Sequence, residues 1–322
     1  MRYVRLGKTE LRVSAIAFGT WAFGGDWGAF DEAESRAAVH HALDRGVTLF
    51  DTAEAYGFGV SERLLADALW GRAGRDDVVV ATKGGLRMEG KMLVRDASAR
   101  ALRRGAEASL RNLRTDHIDL YQVHWPDTRT PAEETARVLE DLVAEGKVRH
   151  VGVSNYEVAE MVELSPYGRL ETLQPPYHLF RRDIEEYVLA YAEEHDIGVL
   201  VYGPLAHGLL SGRMTADTRF RAGDWRSQSP DFSGKTFQQN LHVVKSLRRY
   251  AVGHGMTLPQ LAVAWTLAHP AVDVAIVGAR SAAQLDDTLA AADVSLSPDD
   301  LADVYRILAE AAPVSGPSPE GM

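Results

Sequence analysis

Short apolar runs alternate with stretches of helical periodicity along the whole chain. The runs are Ser14 to Phe18, Val47 to Asp51, Val78 to Thr82, Ile118 to His124, Val148 to Val153, Glu171 to Gln174, Gly198 to Tyr202 and Val274 to Val277. Runs of this length, bounded by polar turns, read as buried strands. Helical patterns follow them, as in Glu32 to Leu43, Glu62 to Leu69, Ala97 to Leu113, Pro131 to Ala144 and Ile184 to His195. Eight strand–helix units with no break in composition midway predict an α/β fold, a (β/α)8 or TIM barrel of about 250 residues plus additions. The sixth strand carries the weakest signal, because Glu171-Thr172-Leu173-Gln174 is only half apolar.

Two additions are predicted. Val4 to Leu6 and Leu11 to Val13, joined by Gly7-Lys8-Thr9-Glu10, read as an N-terminal β-hairpin capping the barrel floor. A long loop follows strand seven, from Gly203 to about Gly234, and loops of that length act as lids or binding loops. The Pro- and Ser-rich stretch Pro313 to Pro319 reads as flexible. The expectation is one barrel domain over residues 1–312 and a flexible tail over 313–322. The rival arrangement, a doubly wound sheet, calls for G-x-G-x-x-G after an early strand. The first strand is instead followed by Gly19-Thr20-Trp21-Ala22-Phe23-Gly24-Gly25, which lacks that spacing.

Composition narrows the function classes. The 322 residues are 46% hydrophobic and 25% charged, as in ordinary soluble proteins. No apolar run approaches the roughly 18 residues of a membrane span. Met1-Arg2-Tyr3-Val4-Arg5 lacks the apolar core of a signal peptide. With 35 Lys and Arg against 45 Asp and Glu, the net charge is -10. That balance argues against nucleic acid, whose phosphates need a basic face. A cysteine count of 0 excludes disulfides, a thiolate zinc site and a cysteine nucleophile. A soluble, cytoplasmic protein with a small-molecule partner, and neither a nucleic-acid nor a membrane partner, is the simplest reading.

Barrel enzymes place their chemistry at the C-terminal strand ends. Strand two ends in Asp51, with Tyr56 five residues on, strand three in Lys83, and strand four in His124. Strand five ends in Ser154-Asn155, strand six in Gln174, and strand seven in Tyr202. Neighbouring strands bring Asp51, Tyr56, Lys83 and His124 toward one point, a set suited to acid–base work. A tyrosine titrates near pH 10 unless a cation lowers it. Lys83 can supply that cation, Asp51 can hold Lys83 charged, and His124 can donate to a substrate oxygen. Each residue alone also has a structural reading: a capping aspartate, a solvated lysine, a packed loop tyrosine, a core histidine. Their joint placement at consecutive strand ends favours chemistry. Gly19, Gly84-Gly85, Gly203 and Gly278 follow strand ends, where a bare backbone admits a ligand or simply makes the turn.

Longer stretches carry a resemblance. They include Leu6-Gly7-Lys8-Thr9, Phe18-Gly19-Thr20-Trp21, Phe50-Asp51-Thr52-Ala53-Glu54-Ala55-Tyr56-Gly57 and Ala81-Thr82-Lys83. Ile118 to Trp125, Gly146-Lys147-Val148-Arg149 and Val151 to Tyr156 follow. Gln174-Pro175, Tyr202-Gly203-Pro204-Leu205, Gly208 to Gly212 and Gly278-Ala279-Arg280-Ser281 complete the set. In these, and in this order, the chain resembles the aldo-keto reductases nearly end to end. Ala55-Tyr56-Gly57-Phe58-Gly59 followed by Ser61-Glu62 looks most like the bacterial general-stress-type members, with potassium-channel β-subunits as more distant cousins.

The resemblance implies a (β/α)8 barrel that binds NADP(H) in an extended pose, with Asp51, Tyr56, Lys83 and His124 as a tetrad and Tyr56 as general acid. It implies that Ser154, Asn155 and Gln174 hold the nicotinamide carboxamide and that Tyr202 stacks on the ring. Gly203, Pro204, Leu205 and Arg213 would line the pyrophosphate path. Gly278, Arg280, Gln284 and Asp287 would hold the adenosine end, and Gly19, Thr20, Trp21 and Asp51 would complete the cofactor site. Substrate would meet Trp21, Tyr56, His124 and Trp125, with Phe23 and Trp27 further out. Three positions depart from the family pattern: Arg213 stands for a usual lysine, Thr288 for asparagine, and Val277 for proline. The implied activity is NADPH-dependent reduction of aldehyde or ketone carbonyls to alcohols, without a metal. The alternative is a nucleotide-sensing regulatory subunit. Substrate identity, governed by Arg87 to Arg95 and Gly203 to Gly234, and oligomeric state stay open.

Overall fold

The chain enters with a hairpin, β1 (Tyr3–Arg5) paired antiparallel with β2 (Arg12–Ser14). Strand–helix units follow: β3 (Ile16–Gly19) and α1 (Glu32–Asp44), β4 (Leu49–Asp51) and α2 (Val60–Leu69). Next comes β5 (Val79–Gly84), then a second hairpin, β6 (Leu86–Glu89) with β7 (Met92–Arg95), and α3 (Ala99–Leu113). The middle units are β8 (Ile118–Val123) with α4 (Ala132–Ala144), β9 (Val148–Ser154) with α5 (Val158–Leu164), and β10 (Thr172–Gln174) with α6 (Val188–Glu194). The last two strands each carry two helices: β11 (Gly198–Tyr202) with α7 (Gly234–Gly253) and α8 (Leu258–Thr266), and β12 (Val274–Gly278) with α9 (Ala282–Leu289) and α10 (Pro298–Leu308). This computed structural model describes residues 1–25, 27, 30–221, 224–279, 282–312 and 314.

Strands β3, β4, β5, β8, β9, β10, β11 and β12 run parallel and close, β12 pairing with β3. This is the eight-stranded barrel that the hydrophobic pattern predicts. Its strands are apolar runs because they are buried on both faces; β8 has no residue open to solvent. The weak sixth strand, β10, is short and polar for a packing reason. Thr172 lies opposite Gly152 of β9 and fills the space where a Cβ on that glycine would stand.

The N-terminal hairpin closes the floor. Leu6 and Val13 pack with Leu49, Leu120, Leu200 and Val274 in a separate apolar cluster inside the barrel. Gly7 makes the contact possible, with φ +49 and a backbone set against the Gly198 nitrogen. Lys8 N–H donates to Asp196 O at 3.0 Å and ties the hairpin to the chain entering β11.

Three expectations are corrected. The first barrel strand begins at Ile16, not Ser14, because Ser14 ends the hairpin and its hydroxyl donates to Ile16 O at 2.8 Å. The Arg87 to Arg95 stretch is a hairpin, turning at Gly90 with φ +63. Helix α6 starts at Val188 rather than Ile184; the preceding turn is held by Arg182 and Glu185, paired at 2.8 Å. The long segment after β11 is filled by short 3-10 turns at Ala206–Ser211, Trp225–Ser227 and Pro230–Phe232. Residues 313 and 315–322 lie outside the described residues, and with them most of the expected tail. Among the described residues no helix is long and apolar enough to cross a membrane.

Gly7→Ala tests the floor. A Cβ there would overlap the backbone at Gly198 and sit at a left-handed φ. The substitution is expected to cost about 2 kcal/mol or more, read as a lower urea midpoint with unchanged slope.

Candidate active site

A cavity of about 370 Å³ opens at the C-terminal rim of the barrel. The four predicted residues meet beneath it. Lys83 Nζ donates to Asp51 Oδ1 at 2.7 Å and to Thr52 O at 2.9 Å, and stands 3.5 Å from Tyr56 Oη. The Tyr56 and His124 rings meet edge to face, with centroids 5.8 Å apart. Lys83 is 1% exposed and His124 2%. A buried ammonium needs compensation, and Asp51 supplies it. Burial, and then the Lys83 charge, hold His124 well below the ordinary imidazole range, so its ring is neutral near pH 7.

Polar contacts between two strand ends and a helix fasten this geometry. Ser61, in the first turn of α2, sets its Oγ 2.7 Å from Thr20 Oγ1 and 3.0 Å from Thr52 Oγ1. Thr20 Oγ1 in turn lies 3.0 Å from Asp51 O. Thr20, predicted to touch cofactor, is therefore turned into the scaffold and is not among the lining residues.

One wall carries the amide and hydroxyl groups predicted for a carboxamide. Gln174 Nε2 donates to Asp51 Oδ2 at 2.8 Å, and Ser154 Oγ donates to Gln174 O at 2.8 Å. Asn155, held at φ +62, donates from Nδ2 to His124 O at 3.0 Å and accepts from Tyr202 Oη at 2.8 Å. Asp51, Ser154, Asn155, Gln174 and Tyr202 all line the cavity.

From there the cavity follows the backbone after β11 and reaches α9. Gly19, Gly203, Pro204, Leu205, Arg213, Gly278, Gln284 and Asp287 line it as predicted. The glycines form a bare cradle: a Cβ on Gly278 would come no nearer than 3.7 Å to its neighbour, the Gly19 oxygen. Asp287 accepts from Thr257 Oγ1 at 2.7 Å, which ties α9 to the start of α8. Thr288, at a position where the family pattern has asparagine, turns its hydroxyl back to Leu285 O at 3.0 Å. Arg280 lies outside the described residues.

At the mouth, Trp21 and Trp27 line the cavity but Trp125 and Phe23 do not. Trp125 lies under the Arg95 guanidinium, 4.8 Å from its ring centre. Phe23 is buried on Phe18, centroids 6.0 Å apart. Sequence reasoning missed His207 and Arg226. The chain after β11 turns left-handed at Ala206, His207 and Gly208, with φ 47, 52 and 97. This sets His207 against Trp225, with centroids 5.0 Å apart. Trp225 stacks on Trp21 at 6.2 Å, and Arg226 lies 4.7 Å over Trp27. The two loops are thus clasped across the mouth by aromatic contacts. Burial and the Arg181 and Arg226 charges push His207 down to about 3. The signal that marked the segment was its length; its handedness depends on tertiary packing. Among the described residues no group of three or more His, Asp or Glu is gathered to hold a metal ion.

Comparison with known proteins shows the family. The model of the aldo/keto reductase family matches residues 15–309. The aldo-keto reductase YhdN of Bacillus subtilis is 42% identical over 310 residues, spanning 96% of this chain and 94% of that protein. The NADH-specific methylglyoxal reductase of Escherichia coli is 33% identical, spanning 97% and 99%. Among solved structures, a glycerol dehydrogenase from Gluconobacter oxydans superposes with a TM-score of 0.89 at 38% identity, covering 98% of this chain and 97% of that one. An aldo-keto reductase from Klebsiella pneumoniae in complex with NADPH superposes at 0.75 with 34% identity, covering 95% of each. Members of the family are oxidoreductases that use a nicotinamide cofactor. By sequence and fold, the chain belongs to the aldo/keto reductase family.

Proposed function

We propose that the protein reduces aldehyde or ketone carbonyls to alcohols with NADPH, and that Tyr56 delivers the proton. The observation that carries this reading is the buried Lys83 ammonium, 2.7 Å from Asp51 and 3.5 Å from the Tyr56 hydroxyl. A cation at that distance stabilises the phenolate left when the proton leaves. Asp51 keeps the cation charged and in place. His124, neutral and rigid, donates one N–H to the substrate oxygen without competing as an acid.

The cavity residues suit a nicotinamide dinucleotide. Gln174, Asn155 and Ser154 offer amide and hydroxyl groups beside the tetrad, and the glycines at 203 and 278 leave room for close approach. When bound, the nicotinamide supplies the hydride. Trp21 and Trp27 keep water from the reacting carbonyl, and their apolar faces favour a small organic substrate. Methylglyoxal and glycerol, named for two relatives, are small oxygenated compounds and set the first substrates to try.

Tyr56→Phe keeps the ring and removes the proton. Turnover is expected to fall at least about 100-fold, with cofactor affinity nearly unchanged. A variant keeping more than half its activity assigns the proton to another group.

Choice of NADPH over NADH needs a cation for the 2′-phosphate, and Arg280 is the candidate from the chain pattern. Arg280→Ala is expected to weaken NADPH by roughly 10- to 150-fold and to leave NADH nearly untouched. Dissociation constants for both cofactors, measured by calorimetry, decide it; equal losses remove Arg280 from that role.

A further inference from the structure

Two carboxylates lie behind Tyr56 and Lys83 and take no part in lining the cavity. Glu62, in the first turn of α2, is fully buried. Its Oε1 accepts from Thr82 Oγ1 at 2.8 Å and its Oε2 from Asn112 Nδ2 at 2.9 Å. Thr82 is the neighbour of Lys83 on β5. Among the described residues no ion pair reaches Glu62.

Glu54 stands two residues before Tyr56. Its N–H donates to Lys83 O at 3.0 Å, and its carbonyl accepts from Gly59 N–H at 2.9 Å. The Glu54 backbone therefore fastens the turn that carries Tyr56. Its side chain enters a slot on α3 opened by Gly105. A Cβ on that glycine would lie 2.7 Å from Glu54 Oε2 and 2.9 Å from Tyr121 Oη. Tyr121 donates its proton to Leu102 O at 3.0 Å, so it has none for Glu54. Among the described residues the Glu54 carboxyl forms no hydrogen bond.

We propose that Glu54, protonated beside the buried Glu62 carboxylate, positions the Tyr56 turn against Lys83. The proposal rests on Tyr56 being the proton donor of the reaction. Three groups face the Glu54 carboxyl: Glu62 from α2, Arg104 from α3 and Tyr121 from β8. A half-buried carboxyl with no hydrogen-bond partner and a like charge beside it favours its protonated form. Burial, then the Glu62 charge, push Glu54 up to about 7, against the pull of Arg104. Tyr121 is held well above the phenol range by burial and by the two carboxylates, and stays neutral. Once Glu54 ionises, two negative charges share the slot. Their repulsion acts on the residue whose backbone holds the turn, and so on the 3.5 Å approach of Tyr56 Oη to Lys83 Nζ. Neither carboxyl touches substrate or cofactor, so both are positioning residues.

The test compares kcat between about pH 6 and 8.5 for the wild type, Glu54→Gln and Glu62→Gln, at saturating NADPH. The wild type is expected to lose activity severalfold across pH 7. Glu54→Gln mimics the protonated form, and its loss over that span is expected to be less than half as large, with NADPH affinity within about twofold of wild type. Glu62→Gln removes the like charge and moves the inflection to lower pH by half a unit or more.

Two readouts need no turnover. Glu54 titrates above its ordinary 4.5 when folded, so its contribution to stability is complete below 4.5 and is lost as pH rises through 7. The thermal midpoint of Glu54→Gln should therefore gain on that of the wild type between about pH 5 and 8. Infrared spectra of the wild type should hold a protonated-carboxyl band at about pH 6.5 that disappears by about pH 8 and is missing in Glu54→Gln. Superimposable kcat profiles of the wild type and Glu54→Gln overturn the proposal. So does an infrared band indifferent to Glu54, or a Glu62→Gln inflection that does not move. A wild type without turnover would sink the reductase reading alone and leave the stability and infrared arms to decide the Glu54 protonation.

Discussion

The site depends on one buried ion pair. Lys83 and Asp51 are almost wholly withdrawn from water and 2.7 Å apart. Removing one charge would strand the other in a medium that cannot solvate it, a penalty of several kcal/mol. Contacts from several elements at the rim keep the pair together. Thr52 O takes a second Lys83 proton, Gln174 takes the other Asp51 oxygen, and Ser61 pins Thr20 and Thr52. These contacts join β3, β4, β5, β10 and α2. The barrel supplies the rigidity, because each strand is flanked by two others and cannot slide without breaking both ladders. A lysine on a loose surface loop would find its carboxylate only part of the time; here packing imposes the distance.

Much of this arrangement is legible in the chain because it follows from periodicity and chain order. Eight apolar runs followed by helical spacing leave few alternatives to a closed parallel barrel. Sequential strands are then neighbours, so Asp51, Lys83 and His124 at three consecutive ends must converge. Gln174, Asn155 and Tyr202 follow the same logic on the other side. What local pattern does not carry is the direction of a side chain in an irregular segment. Thr20 and Trp125 flank lining residues yet turn away, one to Ser61 and one to Arg95. His207 enters the cavity because three consecutive residues adopt left-handed backbone, a conformation decided by the clasp between Trp21, Trp225 and Arg226. The β6–β7 hairpin was hidden for a related reason: its strands pair only with each other, and their residues alternate weakly between apolar and polar.

The two ends of the barrel divide the work. The floor is dry and apolar, sealed by Leu6 and Val13 from a hairpin that touches none of the rim chemistry. The rim holds the buried Lys83–Asp51 pair and the long loop. Asn155, Ala206 and His207 are held there at positive φ, which costs free energy in a residue other than glycine.

The aromatic clasp also has an optical consequence. Of the six tryptophans, three sit together at the mouth: Trp21 is stacked on Trp225 at 6.2 Å and meets Trp27 edge-on at 5.0 Å. Indoles this close exchange excitation far faster than they emit, so the three behave as one chromophore that straddles both loops. The remaining three, Trp70, Trp125 and Trp265, make no ring contact with that cluster among the described residues. The protein's own emission therefore divides into a constant background and a component confined to the cavity entrance. A displacement that took Trp225 away from Trp21 would uncouple that component, so the spacing between the loops is written into the lifetime and polarisation of the emitted light.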